Sequence, residues 1–60
     1  MSYEVLKKDY VIETLAKGTT VICCDFSTMR MLDCTDMTVK TINNYIAKDG
    51  VVFYKAVANE

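Results

Sequence analysis

The chain has 60 residues, an apolar fraction of 52%, eight acidic and seven basic side chains, and a formal net charge of −1. These values exclude an intrinsically disordered chain and leave room for only one domain, spanning residues 1–60. No apolar run exceeds four residues, so no segment approaches the ~20 residues that a membrane-spanning helix needs.

The first segment, residues 2–17, carries apolar side chains at helical spacing, such as Val11 and Leu15 four positions apart. Gly18 follows it, as is typical just past the end of a helix. We predict a helix over residues 10–17, with Asp9 as its N-cap. Residues 2–8 are ambiguous, because they either extend this helix from Ser2 or form an extended segment that leads into it.

The second segment, residues 19–26, is rich in β-branched side chains and is bounded by Gly18 and Ser27, which predicts a strand. Side chains alternate between the two faces of a strand, and both faces are apolar here. One face has Ile22, Cys24 and Phe26, and the other has Val21, Cys23 and Asp25. This pattern indicates a central strand, or a strand that a partner buries.

A second strand over residues 29–34 completes a hairpin with the first, since only two residues connect them. The competing interpretation is a short helix over residues 28–33, because Met, Arg and Leu favour helices. We prefer the hairpin, because Ser27 and Thr28 form an acceptable short connection between the two strands.

The clearest element is a helix over residues 39–48. Its apolar side chains form one stripe, Thr38 is suited to the N-cap, and Gly50 lies just past its end. The stripe consists of Val39, Ile42, Tyr45 and Ile46. A last strand then occupies residues 51–57. The predicted order is α-β-β-α-β, a small two-layer α+β domain with a three-stranded, mainly antiparallel sheet and two helices.

Stability is marginal for so short a chain. Surface scaling predicts that folding buries about 5,900 Å², worth roughly 90 kcal/mol, while conformational entropy opposes folding by roughly 90 kcal/mol. Small domains of this kind usually add a disulfide, a metal or a partner chain. A lone monomer is therefore marginally stable, and we ask which of these stabilisers the chain could use.

The three cysteines, Cys23, Cys24 and Cys34, do not supply that stability. Their number is odd, two are adjacent, and the chain has no His to complete a zinc site. We expect them to be reduced, small apolar side chains of a cytoplasmic protein, and residues 1–8 lack the apolar core of a signal peptide. Self-association as a homodimer becomes the favoured stabiliser.

We predict an apolar surface for self-association or for a partner, formed by one face of the first strand together with the methionines. It comprises Val21, Cys23, Met29, Met31 and Met37. Methionine is adaptable and suits binding surfaces. An edge strand at residues 29–34 or 51–57, paired across a two-fold axis, is the alternative contact between two copies.

Catalytic chemistry is poorly represented in the chain. Without His, a Cys or Ser nucleophile lacks its usual base, and the two glycines stand alone rather than in a phosphate-binding loop. We expect no catalytic residues, no metal ligands and no cofactor. The composition therefore favours a non-catalytic module for protein–protein interaction or regulation.

One alternative comes from the sequence T-V-K-T-I-N-N-Y at residues 38–45. It resembles the recognition helix of helix-turn-helix DNA-binding regulators. The resemblance implies that Lys40, Thr41, Asn43 and Asn44 face the major groove and that a preceding helix occupies about residues 30–35. The sequence pI of about 5.2 and the single Arg disfavour nucleic acid as the partner.

Overall fold

The computed structural model describes residues 2–58, which form one four-stranded sheet and two α-helices. In chain order the elements are β1 (Ser2–Leu6), α1 (Val11–Ala16), β2 (Val21–Asp25), β3 (Arg30–Asp33), α2 (Val39–Ala47) and β4 (Val51–Val57). Single turns of 3₁₀-helix, Lys8–Tyr10 and Cys34–Asp36, precede the two α-helices. The protein is therefore an α+β domain, as its sequence predicts.

The sheet has the strand order β1-β4-β2-β3, and every neighbouring pair is antiparallel. β1 and β2 consequently run parallel with β4 between them, and β3 and β4 run parallel with β2 between them. A helix makes each of these two connections, as parallel strands require a crossover. Each β-α-β unit therefore contributes one central strand, which lies between the two strands of the other unit.

Both helices cover the same face of this sheet. Cys23 lies opposite Phe53 in the register of β2 and β4, and both side chains are fully buried. Val11 of α1 and Ile42 of α2 join them in one cluster. The buried members of the core are Leu6, Val11, Val21, Cys23, Cys34, Ile42, Val51 and Phe53.

The two α-helices differ at their N-termini, since only α2 has a side-chain cap. At α2, the Thr38 hydroxyl accepts a hydrogen bond from the Thr41 backbone N–H at 3.2 Å, which confirms the predicted N-cap. At α1, the predicted helix start and the Asp9 cap are wrong. The α-helix begins at Val11 after a turn of 3₁₀-helix, and its N-cap position, Tyr10, makes no side-chain capping bond.

The prediction of three strands is also wrong, because residues 2–6 form a fourth strand, β1. This edge strand pairs with β4 from Ser2 opposite Val57 to Leu6 opposite Phe53. Its one charged residue, Glu4, and its apolar side chains on both faces hide the usual alternation. The pairing with β4 is a long-range contact, which local sequence patterns do not reveal.

The hairpin of β2 and β3 is confirmed, with Ile22 opposite Asp33 and Asp25 opposite Arg30. A helix over residues 28–33 is therefore excluded. The sheet order also rules out residues 51–57 as the edge strand of the alternative two-fold contact, since β4 lies between β1 and β2 and has no free edge. The two edges of the sheet are β1 and β3.

Candidate functional site

The face of the sheet that the helices do not cover is here called the open face. Strand register assigns it the residues that alternate with those of the core. Its members are Tyr3, Val5, Ile22, Cys24, Met31, Asp33, Val52, Tyr54 and Ala56. Asp33 is the one charged residue among them, so the open face is predominantly apolar.

The open face is accessible to solvent. Val5 is 66% exposed, Met31 73% and Tyr3 52%. Two residues of the connection between β2 and β3, Phe26 at 52% and Met29 at 82%, continue this surface. At roughly 150–250 Å² per large side chain, these five residues expose on the order of 600 Å², which reaches the upper limit for the largest apolar patch of a typical monomer.

A groove of about 760 Å³ runs along this surface. Tyr3, Ile22, Cys24 and Tyr54 line it from the sheet, while Phe26, Met29 and Met31 line it from the hairpin. Its few charged lining residues, Asp25, Arg30 and Asp33, belong to β2 and β3. The groove therefore suits an apolar occupant.

The connection between β2 and β3, residues 26–29, is here called the hairpin tip. Asp25, immediately before it, is buried, and its Oδ1 accepts bonds from the Ser27 backbone N–H at 3.0 Å and the Ser27 hydroxyl at 2.6 Å. The Lys48 ammonium donates to Asp25 Oδ2 at 2.6 Å. The Phe26 N–H also donates to the Gly50 carbonyl at 2.9 Å, so the tip is fixed to the connection between α2 and β4.

These contacts stabilise the charged form of the Asp25 carboxyl group. The Lys48 hydrogen bond and the Ser27 bonds lower the pKa of Asp25 from 3.8 to about 2. The network at the base of the hairpin tip therefore stays intact at neutral pH. Within residues 2–58, every buried side-chain nitrogen or oxygen atom has a hydrogen-bond partner.

Met29 has an unusual backbone conformation. Its φ of 56° lies in the left-handed region, where Met29 is alone among the described non-glycine residues. A side chain other than Gly costs about 1–2 kcal/mol there. The strain coincides with the most exposed large apolar side chain of the described chain.

The predicted surface residues divide into two groups. Met29 and Met31 lie on or beside the open face and are exposed. The prediction that Val21 and Cys23 belong to an outer surface is wrong, because both are fully buried in the chain's own core. Met37 is partly buried and packs against that core, so it belongs to the helical layer.

Several residues of this surface were missed by the sequence prediction. Ile22, Cys24 and Phe26 form the second apolar face of the strand pattern, and that alternation was the available signal. Tyr3 and Val5 belong to the unpredicted strand β1. Only the pairing of β1 with β4 brings these residues beside the hairpin.

The helix-turn-helix expectation fails on the segment before α2. Residues 30–35 contain β3 and part of a 3₁₀ turn, not the helix that the motif requires. Lys40, Asn43 and Asn44 are exposed on α2, whereas Thr41 is half-buried next to the Thr38 cap. These side chains therefore lie on the outer face of an amphipathic helix that packs on a sheet.

The three cysteines are free and buried. Burial raises the pKa of Cys34 to about 11 and also raises that of Cys23, so both thiols are protonated at neutral pH.

Across residues 2–58, no group of three His, Cys, Asp or Glu side chains is arranged to hold a metal ion. Over the same range, neither helix combines the length and apolar character that crossing a membrane requires.

Fold and site together define a two-layer α+β domain with one uncovered apolar sheet face. The chain matches no protein-family model, no curated protein and no solved structure. The functional interpretation therefore depends on the geometry of the open face and its groove.

Proposed function

We propose that the protein is a non-catalytic interaction module that self-associates, with two copies packing open face against open face about a two-fold axis. The observation that carries this proposal is the apolar surface on the sheet, of which five residues expose on the order of 600 Å² per copy. A regulatory or scaffolding role would follow from the association itself.

The area suits a second copy of the chain. Two such surfaces bury on the order of 1,200 Å² in total, which is the lower limit of a standard stable protein–protein interface. Sheets that pack face to face do so at about 10 Å through interdigitating apolar side chains. The same burial adds stability to a 60-residue chain, which is only marginally stable as a monomer.

The charge pattern supports the same occupant. A net charge of −1 per copy imposes little repulsion between two chains. The open face carries one charged residue, Asp33, so it lacks the basic surface that nucleic acid would need.

The three free thiols agree with a reducing location, which supports the cytoplasm as the site of action.

The direct test is sedimentation equilibrium of the full chain from low to high micromolar concentration. We expect a mass approaching twice the 6.8 kDa of one chain. Met31→Lys should shift the protein to a monomer, because burying an unpaired charge in an apolar interface is costly.

The matched control is Val39→Lys, which places the same charge on an exposed apolar position of α2. We expect this variant to associate like the natural chain. A folded wild-type protein that remains a monomer at high micromolar concentration would contradict the proposal, and so would equal effects of the two lysine variants.

A further inference from the structure

We propose that Met29 is the anchor residue of this self-association, held outward by a rigid hairpin tip to contact the groove of the second copy. This inference depends on the proposed function above. Beyond that function, it states that the hairpin tip contributes more to the binding energy than the rest of the open face does.

The first argument is the backbone conformation of Met29. Its φ of 56° favours Gly or Asn, yet the position holds a long apolar side chain that is 82% exposed. Within the subunit, so exposed a side chain gains little packing to offset the strain. Strained backbone of this kind clusters at binding and functional sites.

The second argument is that hydrogen bonds fix the first two residues of the hairpin tip, Phe26 and Ser27. Ser27 is bonded twice to buried Asp25, and Lys48 from the end of α2 holds the same carboxylate. The bond from the Phe26 N–H to the Gly50 carbonyl fixes the start of the tip. A residue presented from a rigid segment loses little conformational entropy on binding, which is how anchor residues gain affinity.

The third argument is chemical complementarity. The groove of about 760 Å³ is lined by apolar and aromatic side chains, including Tyr3 and Tyr54. The unbranched Met side chain adapts to irregular apolar grooves, and its sulfur makes favourable contacts with aromatic rings. The groove of a second copy therefore provides a suitable receptor for Met29.

Two variants of Met29 distinguish the effect of its side chain from the effect of its backbone strain. Met29→Ala removes the anchor and keeps an unfavourable φ, whereas Met29→Gly removes the anchor and relieves the strain. We expect both to weaken the dimer at least tenfold in sedimentation equilibrium.

The strain is measured in the Met31→Lys background, so that unfolding reports on the isolated subunit. There, adding Met29→Gly should raise the Tm by ~4–8 °C, which is the usual response of a domain this size to relief of such strain. Adding Met29→Ala should leave the Tm nearly unchanged.

The outcomes distinguish this inference from the proposed function. If the natural chain dimerises and both Met29 variants dimerise equally well, the anchor inference is wrong while self-association stands. The anchor inference also fails if Met29→Gly gives no rise in Tm in the monomeric background. If the natural chain is a folded monomer, the proposed function fails, and the anchor inference fails with it.

Discussion

The two faces of the sheet have similar side chains but opposite environments. On β1, Leu6 is buried beneath the helices, whereas its neighbour Val5 is 66% exposed. On β4, Phe53 is almost fully buried and Tyr54 is half-buried on the open face. An apolar pattern on both sides of a strand thus identifies two apolar faces, and only the position of the helices determines which one is buried within the subunit.

This comparison explains why a short chain carries so large an apolar fraction. The covered face builds the core with α1 and α2, and the open face exposes an apolar area at the upper limit for the largest patch of a typical monomer. The two faces should consequently respond differently to mutation. Changes on the covered face should affect unfolding, and changes on the open face should affect association.

The largest expected effect is that of Phe53→Ala, compared with Tyr54→Ala one residue away. Phe53→Ala leaves a cavity in the core and should lower the free energy of unfolding by about 3–5 kcal/mol, enough to unfold a marginal domain. Tyr54→Ala should leave the subunit folded and weaken association. Urea denaturation followed by circular dichroism checks the first, and sedimentation equilibrium checks the second. Equal losses of stability would remove the distinction between the faces.

A finer comparison uses the adjacent cysteines of β2. Cys23→Ser places a hydroxyl in the core and should destabilise the subunit by about 1–3 kcal/mol. Cys24→Ser should cost less in a monomeric background, because Cys24 lines the groove of the open face and lies outside the core cluster. Denaturation of both variants in the Met31→Lys chain measures the difference. A greater loss for Cys24→Ser would contradict the assignment of faces.

A smaller effect concerns the helix that covers the core. Thr38→Ala removes the N-cap of α2 and should lower the free energy of unfolding by about 1 kcal/mol. Thr28→Ala, an exposed threonine of the hairpin tip, is the control, and we expect it to stay within about 0.5 kcal/mol of the natural chain. Thermal denaturation distinguishes them, and an unchanged Tm for Thr38→Ala would show that the cap contributes nothing.

The last expected effect appears only in acid. The pKa of Asp25 is lowered from 3.8 to about 2 on folding, so the unfolded chain binds more protons between these values. This carboxylate therefore contributes stability that is fully present above about pH 4 and is lost as the pH falls through about 2. Stability measured against pH should show this decline, and Asp25→Asn should flatten it. If stability declines with falling pH equally in the variant and in the natural chain, another group causes the decline.

Some elements follow directly from local sequence. The Thr38 cap, the packing of Ile42, Tyr45 and Ile46 on the core, and the glycine at position 50, with φ of 79°, follow from short-range signals, and the structure confirms them. Val39, the first residue of the predicted stripe, is exposed instead. The β2–β3 hairpin was predicted for the same reason, because β-branched residues and a short connection act locally. The start of α1 was misplaced because no capping side chain marks it.

The candidate site was only partly predictable. Met29 and Met31 were identified from composition, but Val21 and Cys23 were assigned to the wrong side of β2. Alternation shows that two faces exist without showing which one the helices will cover. Tyr3 and Val5 were missed because β1 is recognisable only through its pairing with β4.

Composition and periodicity determined that this chain folds as a two-layer α+β domain with apolar side chains on both sides of a central strand. Those properties depend on neighbours within a few positions along the chain. Tertiary structure decided the strand order β1-β4-β2-β3, the packing of both helices on one face, and the surface left open. These features depend on contacts between distant segments, for which local propensity carries no signal.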